Sequence, residues 1–499
     1  MRPRPQRTST LSKTTTKSAG RSRWRHTPWI GLIAVVALAH GAMAPAAVTA
    51  SPNVVVVMTD DMDVGSMRVM KSTRNLIGRR GIEFTNSFVT TPLCCPSRAT
   101  FQTGLYAHNH GVPGNDPPHG GAAGFSHSVR PRQTLAVRLH RAGYRTGYVG
   151  KYLNNPGSDG QLNVPPGWNR WFEPAFDTNY QMFDYAVDDN GRRSDYGHSP
   201  ADYQTDVLAR QSLEFISESS KRRKPFFLML GTVAPHADPK RRGKSRDPVA
   251  APRYESRFNR APLPRPPAFN ERNVKDKPRF IRRPRFDRAR KLQIRAMYRS
   301  RLRSLLAVDD AVRHIVSRLK RTGELGNTAI IFTSDNGFLL GEHRLTGKAL
   351  PYEESTSVPL LIRGPGFPRG GRRNQIVGNV DLAPTILDIA GAPHGRMDGR
   401  TLLPIARDRG REGRDGLLIE MLKGSGRRPF RALRSHDYLF VKSARDRHRR
   451  LGPVGELYDL KRDPDEMTNR YRDDSYRAVR QKLSRQLKRL TGCRRKGCG

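Results

Sequence analysis

Leu93-Cys94-Cys95-Pro96-Ser97-Arg98-Ala99-Thr100-Phe101-Gln102-Thr103-Gly104 holds two of the chain's four cysteines side by side. Neighbouring cysteines do not easily bridge each other, because a disulfide wants a wider Cα separation than adjacent residues usually offer. A compact metal motif would use a C-x-x-C spacing, which is absent here. The pair is therefore either a buried free thiol, common in cores, or a residue with chemistry of its own. The pattern C-x-P-S-R followed by T-G favours the second reading.

Upstream of this stretch, Val54-Val55-Val56-Val57-Met58 is an unbroken apolar run rich in β-branched residues. It predicts a strand buried on both faces, the habit of parallel sheets. The run ends in Thr59-Asp60-Asp61-Met62-Asp63. Three further runs behave alike. Arg145–Val149 leads to Gly150-Lys151, Phe226–Leu230 to Ala234-Pro235-His236, and Ala329–Thr333 to Ser334-Asp335-Asn336-Gly337. Open α/β sheets bind ligands beyond the carboxyl ends of their strands, so four such endings on one sheet would converge on one site.

Helical patterns lie between the strands. The clearest runs from about Tyr298 to Arg321, with Leu302, Leu305, Leu306, Val312, Val316 and Leu319 at three- and four-residue steps and Gly323 as a stop. Strands alternating with helices predict a layered α/β fold. Residues 240–291 differ, with 19 Lys/Arg against 5 Asp/Glu and many prolines. They follow His236 directly, which places them near the mouth of the expected site. After about residue 410, four short apolar runs predict a small antiparallel sheet, and residues 475–490 read as a basic amphipathic helix.

Eight Lys/Arg and no acid occupy residues 1–27, ahead of an apolar run from Trp29 to Ala39 and small residues up to Ala50. This reads as a secretory leader over residues 1–50. The run is short for a membrane span, and an uncleaved anchor is the alternative. The expected organisation is a leader (1–50), a catalytic domain (51–410) and a C-terminal α+β subdomain (411–499). In an exported chain, Cys493 and Cys498 are expected to pair. The formal charge of +45 among 499 residues is either compositional habit or an attraction for polyanions. No recognised nucleic-acid module appears and the charge is spread throughout, so nucleic acid is not an expected partner.

Asp60, Asp61, Asp335 and Asn336 are all hard oxygen donors, a set that suits Ca²⁺ or Mg²⁺. Separately, each motif is good turn chemistry. At two strand ends, together with the cysteine motif, they favour a metal.

The chain resembles the type I, formylglycine-dependent sulfatases. The residues that carry the resemblance are Asp60-Asp61, the Cys94 motif, Gly150-Lys151, Ala234-Pro235-His236, Ser334-Asp335-Asn336-Gly337, and Gly341-Glu342-His343 leading to Lys348. Leu93–Arg98, Gly150-Lys151-Tyr152-Leu153-Asn154 and Lys224-Pro225-Phe226-Phe227 are most similar to the N-acetylglucosamine-6-sulfatase branch. The resemblance implies an alkaline-phosphatase-like α/β fold, with a large, mostly parallel sheet between helices and a smaller C-terminal antiparallel sheet with a helix.

It also implies the site. Cys94, converted to formylglycine by a formylglycine-generating enzyme, would act as a hydrated geminal diol. With Asp60, Asp61, Asp335 and Asn336 it would bind Ca²⁺ (Mg²⁺ the alternative). Arg98 would hold the attacking hydroxyl. Lys151, His236 and Lys348 would bind sulfate, with His236 protonating the leaving alcohol. The implied substrate is a sulfated carbohydrate of the N-acetylglucosamine 6-sulfate type, and the implied location is extracytoplasmic. The chain departs from many sulfatases at Leu153, where they carry a histidine that helps deprotonate the diol. Rival readings are an arylsulfatase, a phosphonate or phosphodiester hydrolase on the same fold, and an inactive polyanion-binding relative. His108, His110 and His343 carry no assigned role.

Overall fold

The computed structural model describes residues 51–156, 162–175, 178–238, 246–444 and 454–498. The leader expected over residues 1–50 lies outside these, as do residues 240–245 of the basic segment. Among the described residues, a ten-stranded sheet runs in the order Arg372–Arg373, Ile82–Phe84, Leu360–Arg363, Thr328–Ser334, Asn53–Thr59, Phe226–Gly231, Arg145–Gly150, Arg170–Ala175, Tyr185–Asp189, Arg192–Tyr196. The four strands legible in the sequence are consecutive neighbours at its centre, and all are parallel. Their carboxyl ends therefore open on one edge.

The apolar run of the first strand is explained by burial on both faces. Val54, Val56 and Met58 pack with Cys95, Ala99 and Phe101 on one side. Val55 and Val57 pack with Leu302, Leu305, Val308 and Val312 of a long helix on the other. Successive strand side chains point to opposite faces, so neither parity can be polar.

That helix spans Arg288–Arg321, about three turns longer at its start than the apolar pattern indicates. The extra turns are largely polar, so periodicity misses them. Their beginning is set instead by Asp287, whose side chain accepts a hydrogen bond from Arg290 N at 2.7 Å. Buried Arg301 from the same helix donates to the Asp61 carbonyl and pairs with Asp63 at 3.3 Å. It thus braces the loop after the first strand.

The C-terminal strands Leu417–Met421, Phe430–Arg434, Tyr438–Ser443 and Val454–Asp459 form an antiparallel meander. A helix at Arg477–Thr491 lays Leu483 and Leu487 against Leu417, Leu433, Phe440 and Leu457. Glu420 N donates to Thr90 O at 2.8 Å and joins this sheet to the segment that enters the cysteine motif. Cys493 and Cys498 form a disulfide.

Candidate active site

The cysteine motif begins a helix, Cys94–Thr103, every residue of which is buried. Pro96 is tolerated because its missing N–H falls in the first turn, where donors have no intrahelical partner. Gly104 ends the helix in the left-handed conformation at φ 66°, its N–H bonded to Thr100 O at 2.8 Å. A side chain there would also collide with Met397 Sδ at 2.7 Å. The helix start brings Cys94 to the edge where the parallel strands end.

Asp60, Asp61, Cys94, Arg98, Lys151, His236, Asp335, Asn336 and Lys348 all meet at this edge. Cys94 Sγ lies 3.4 Å from Asp60 Oδ1 and 2.6 Å from Lys348 Nζ. Arg98 Nε donates to Asp335 Oδ2 at 2.7 Å, and its NH2 lies 3.8 Å from Asp60. Lys151 is paired with Asp60, and Lys348 with Asp61. Asn336 Nδ2 donates to Asp61 Oδ1 at 2.7 Å, and Asp61 N donates to Asp335 Oδ1 at 3.1 Å. Asp61 holds a left-handed backbone at φ 65°, a conformation that aspartate tolerates better than most residues. His236 Nε2 lies 3.5 Å from Asp61 Oδ2. Its Nδ1 bonds to the Ala237 carbonyl, which can only accept, so Nδ1 carries a proton.

The electrostatics follow from burial and pairing. Burial pushes the Asp61 carboxyl up, but Lys348 and His236 outweigh it and hold it at about 2. Burial also opposes ionisation of Asp60, and Lys151 and His236 reverse that effect. Burial, reinforced by Asp60, pushes the Cys94 thiol up to about 12. An unmodified Cys94 is thus a protonated, weakly nucleophilic thiol at neutral pH.

A model of the sulfatase family matches residues 52–392, and a model described as N-sulphoglucosamine sulphohydrolase, C-terminal, matches residues 341–492. The chain belongs to the sulfatase family. It is 38% identical over 400 residues to the human N-acetylglucosamine-6-sulfatase, a match covering 78% of this chain and 70% of that protein. It is 37% identical over 388 residues to the extracellular sulfatase SULF-1 homolog of Drosophila melanogaster, covering 76% of this chain. The chain spans only 33% of the length of that fly protein and 49% of a Caenorhabditis elegans homologue. The solved structure of BT4656 in complex with its substrate D-glucosamine-2-N,6-O-disulfate superposes with a TM-score of 0.72 at 24% identity, covering 88% of this chain and 97% of that one. That likeness shows a shared layered α/β fold.

In this sulfatase-family chain, the residues at the strand ends fit a hard divalent cation. Asp60, Asp61, Cys94 and His236 each offer an atom, all within 4.8 Å of one another. Asn336 Oδ1 is buried without a hydrogen-bond partner among the described residues, as expected of an oxygen kept for an ion.

Leu153 is buried in the hydrophobic cluster around Tyr148 and Trp171 and offers no base. His108, His110 and His343 are engaged with other partners. His108 bonds Glu420 at 2.8 Å and the Cys493 carbonyl at 3.1 Å, His110 contacts Thr100 at 3.2 Å, and His343 bonds Glu271 at 2.8 Å. One site residue was invisible in the sequence. Tyr180, from an irregular loop without any motif, places its hydroxyl 3.0 Å from Lys151 Nζ. Among the described residues, no helix is long and apolar enough to cross a membrane.

Proposed function

We propose that this chain hydrolyses sulfate monoesters on sulfated carbohydrate, with N-acetylglucosamine 6-sulfate units as its first substrate. One observation carries the reading. Cys94 sits beside Asp60 and Lys348 within a buried cluster of three carboxylate–cation pairs (Asp60 with Lys151, Asp61 with Lys348, Asp335 with Arg98), at the carboxyl ends of the central parallel strands. The human relative and the sulfated-glucosamine complex named above support the sugar assignment.

A formylglycine at residue 94, hydrated to its geminal diol, would supply the nucleophilic hydroxyl, and a bound Ca²⁺ or Mg²⁺ would supply the Lewis acid. Asp60, Asp61, Asp335 and Asn336 would hold the cation together with residue 94. Arg98, fixed by Asp335, holds the start of the helix and directs positive charge at the reacting centre. Lys151 and Lys348 would meet the sulfate oxygens and balance charge that grows during transfer. With Nδ1–H tied to the Ala237 carbonyl, Nε2 of His236 is the nitrogen turned towards Asp61, and it would hand a proton to the leaving alcohol from the imidazolium form, which burial disfavours and Asp61 and Asp60 favour.

In this reading residues 51–410 form the catalytic part and 411–499 a closing subdomain. The leader over residues 1–50 exports the chain, in keeping with the extracellular name of the fly relative. The test is a panel of 6-sulfated N-acetylglucosamine, an aryl sulfate, and phosphate and phosphonate esters, offered to the secreted, metal-loaded protein. Preferential release of sulfate from the sugar is expected. Efficient turnover of aryl sulfate alone removes the carbohydrate assignment, and phosphonate hydrolysis without sulfate release removes the sulfatase assignment.

A further inference from the structure

Tyr180 lies between the strands Arg170–Ala175 and Tyr185–Asp189. Its hydroxyl receives hydrogen bonds from Lys151 Nζ at 3.0 Å and from Asn154 Nδ2 at 2.8 Å. Its ring lies against the His236 imidazole, with centroids 4.4 Å apart and planes at 30°. Lys151 Nζ also lies 4.6 Å from the ring centroid. One side chain therefore contacts two of the residues assigned above to the sulfate group, by two different kinds of interaction.

The hydrogen-bond arithmetic leaves something over. A phenol offers acceptor lone pairs and a single proton. Two donors already point at this oxygen, so the proton is its remaining capacity, and among the described residues no acceptor takes it. Asn154 is in the complementary position. It is buried, one N–H of its amide is given to Tyr180, and its Oδ1 has no partner among the described residues. A buried polar pair that leaves a phenolic proton and an amide oxygen unmet is a poor structural filler, because an unmet polar atom costs free energy. It is a reasonable edge for a polar ligand.

We propose that Tyr180 is a further substrate-contacting residue of this site, donating its phenolic proton to an oxygen of the bound sulfate group while bracing Lys151 and His236. The ligand class is an oxyanion ester carried on a hydroxylated body, whose hydroxyl or amide N–H the free Asn154 oxygen would take. The inference rests on the sulfatase reading for its choice of ligand. It also accounts for the loss of a polar group at position 153. The strand-end segment still delivers two polar residues, Lys151 and Asn154, and Tyr180 links them.

Tyr180→Phe tests this cleanly, because it keeps the ring against His236 and removes only the hydroxyl. In the full-length, calcium-loaded protein, inorganic sulfate binding is titrated by calorimetry and hydrolysis of a nitrophenyl sulfate is followed in parallel. A hydrogen bond to a charged group sets the scale, so Tyr180→Phe should weaken sulfate binding and lower kcat by about tenfold each. Its melting temperature should fall modestly, because Lys151 and Asn154 each lose an acceptor, so binding and turnover are measured well below the transition. Tyr180→Ala should fall further in kcat, since His236 then loses its support. Sulfate affinity and kcat within twofold of the unaltered protein in Tyr180→Phe would overturn the proposal, and so would an unaltered protein that binds no sulfate. If the protein binds sulfate but cleaves no sulfate ester, the functional reading fails while the titration still decides the role of Tyr180.

Discussion

Lys348 places its Nζ 2.6 Å from Cys94 Sγ, and the same ammonium is paired with Asp61. Cys95, one residue on, has no such company. Its side chain is buried in the hydrophobic core with Val54, Ala99 and Phe101. Cys94→Ala should therefore abolish turnover with little change in stability. Cys95→Ala should keep most activity and lose about 1–2 kcal/mol of stability, as small core truncations do. Kinetics and urea unfolding of the two variants check this, and an active Cys94→Ala would sink the assignment.

Removal of metal should abolish activity, and calcium or magnesium should restore it. Elemental analysis should find one hard divalent ion per chain. Asn336→Ala should lower metal affinity by about 10-fold or more, since it deletes a neutral oxygen donor from a set of few. Full activity after exhaustive chelation, or zinc as the bound ion, contradicts the donor-set argument.

Arg98→Ala should be costly for folding as well as for catalysis. Arg98 and Asp335 are both buried, and the loss of one leaves the other an unpaired charge. Breaking such a pair from one side costs about 3–5 kcal/mol. Denaturant midpoints measure the loss, and Arg98→Ala with Asp335→Asn should recover part of it. An Arg98→Ala protein as stable as the parent contradicts this account.

Stability should fall as pH rises from mildly acid to mildly alkaline. Burial, with Asp188 nearby, pushes the Glu173 carboxyl up to about 8 from an ordinary 4.5. The folded chain then keeps a proton that the unfolded chain releases, so the contribution is full below about pH 4.5 and is lost as pH rises through about 8. Burial pushes Glu342 and Glu354 the same way, to about 7 and about 8. Melting temperatures across this range should therefore show a downward slope, and Glu173→Gln should flatten part of it. An unchanged slope in Glu173→Gln removes this residue from the explanation.

The arginine-rich loop should act on long substrates only. Arg279, Arg282, Arg283 and Arg285 are exposed. Their segment is tied to the stretch leading to Lys348 through Asn270 N to Gly341 O at 2.9 Å and His343 N to Ala268 O at 2.8 Å. Neutralising the four together should raise KM for a long sulfated glycan and spare a nitrophenyl sulfate. The preference for the long chain should fade with added salt. Equal effects on both substrates would point to damage at the site itself.

Particular residues show what the sequence made legible. The central strands could be read because burial on both faces forces apolar side chains at every position from Val54 to Met58. Eight of the nine meeting residues were legible because each sits within a few positions of a strand end or in the cysteine motif, and Lys348 was legible only through the resemblance carried by Gly341-Glu342-His343. The outer strand Arg192–Tyr196 could not be read, since its side chains are largely exposed and polar. The start of the long helix was missed because a cap at Asp287, not periodicity, fixes it. Tyr180 was missed for a different reason. Its place beside Lys151 and His236 exists only in three dimensions, and no local pattern encodes it.

The complete burial of Cys94–Thr103 bears on the order of events in the life of the chain. Under the proposed function, an enzyme converting Cys94 to formylglycine would need to reach a thiol that the finished fold buries. That conversion would have to win a race against folding, in the window while the segment is still extended. A molecule that folded first would be locked out of it, its thiol sealed beside Lys348 and Asp60. The active fraction of a preparation would then record how that race was run in the producing cell.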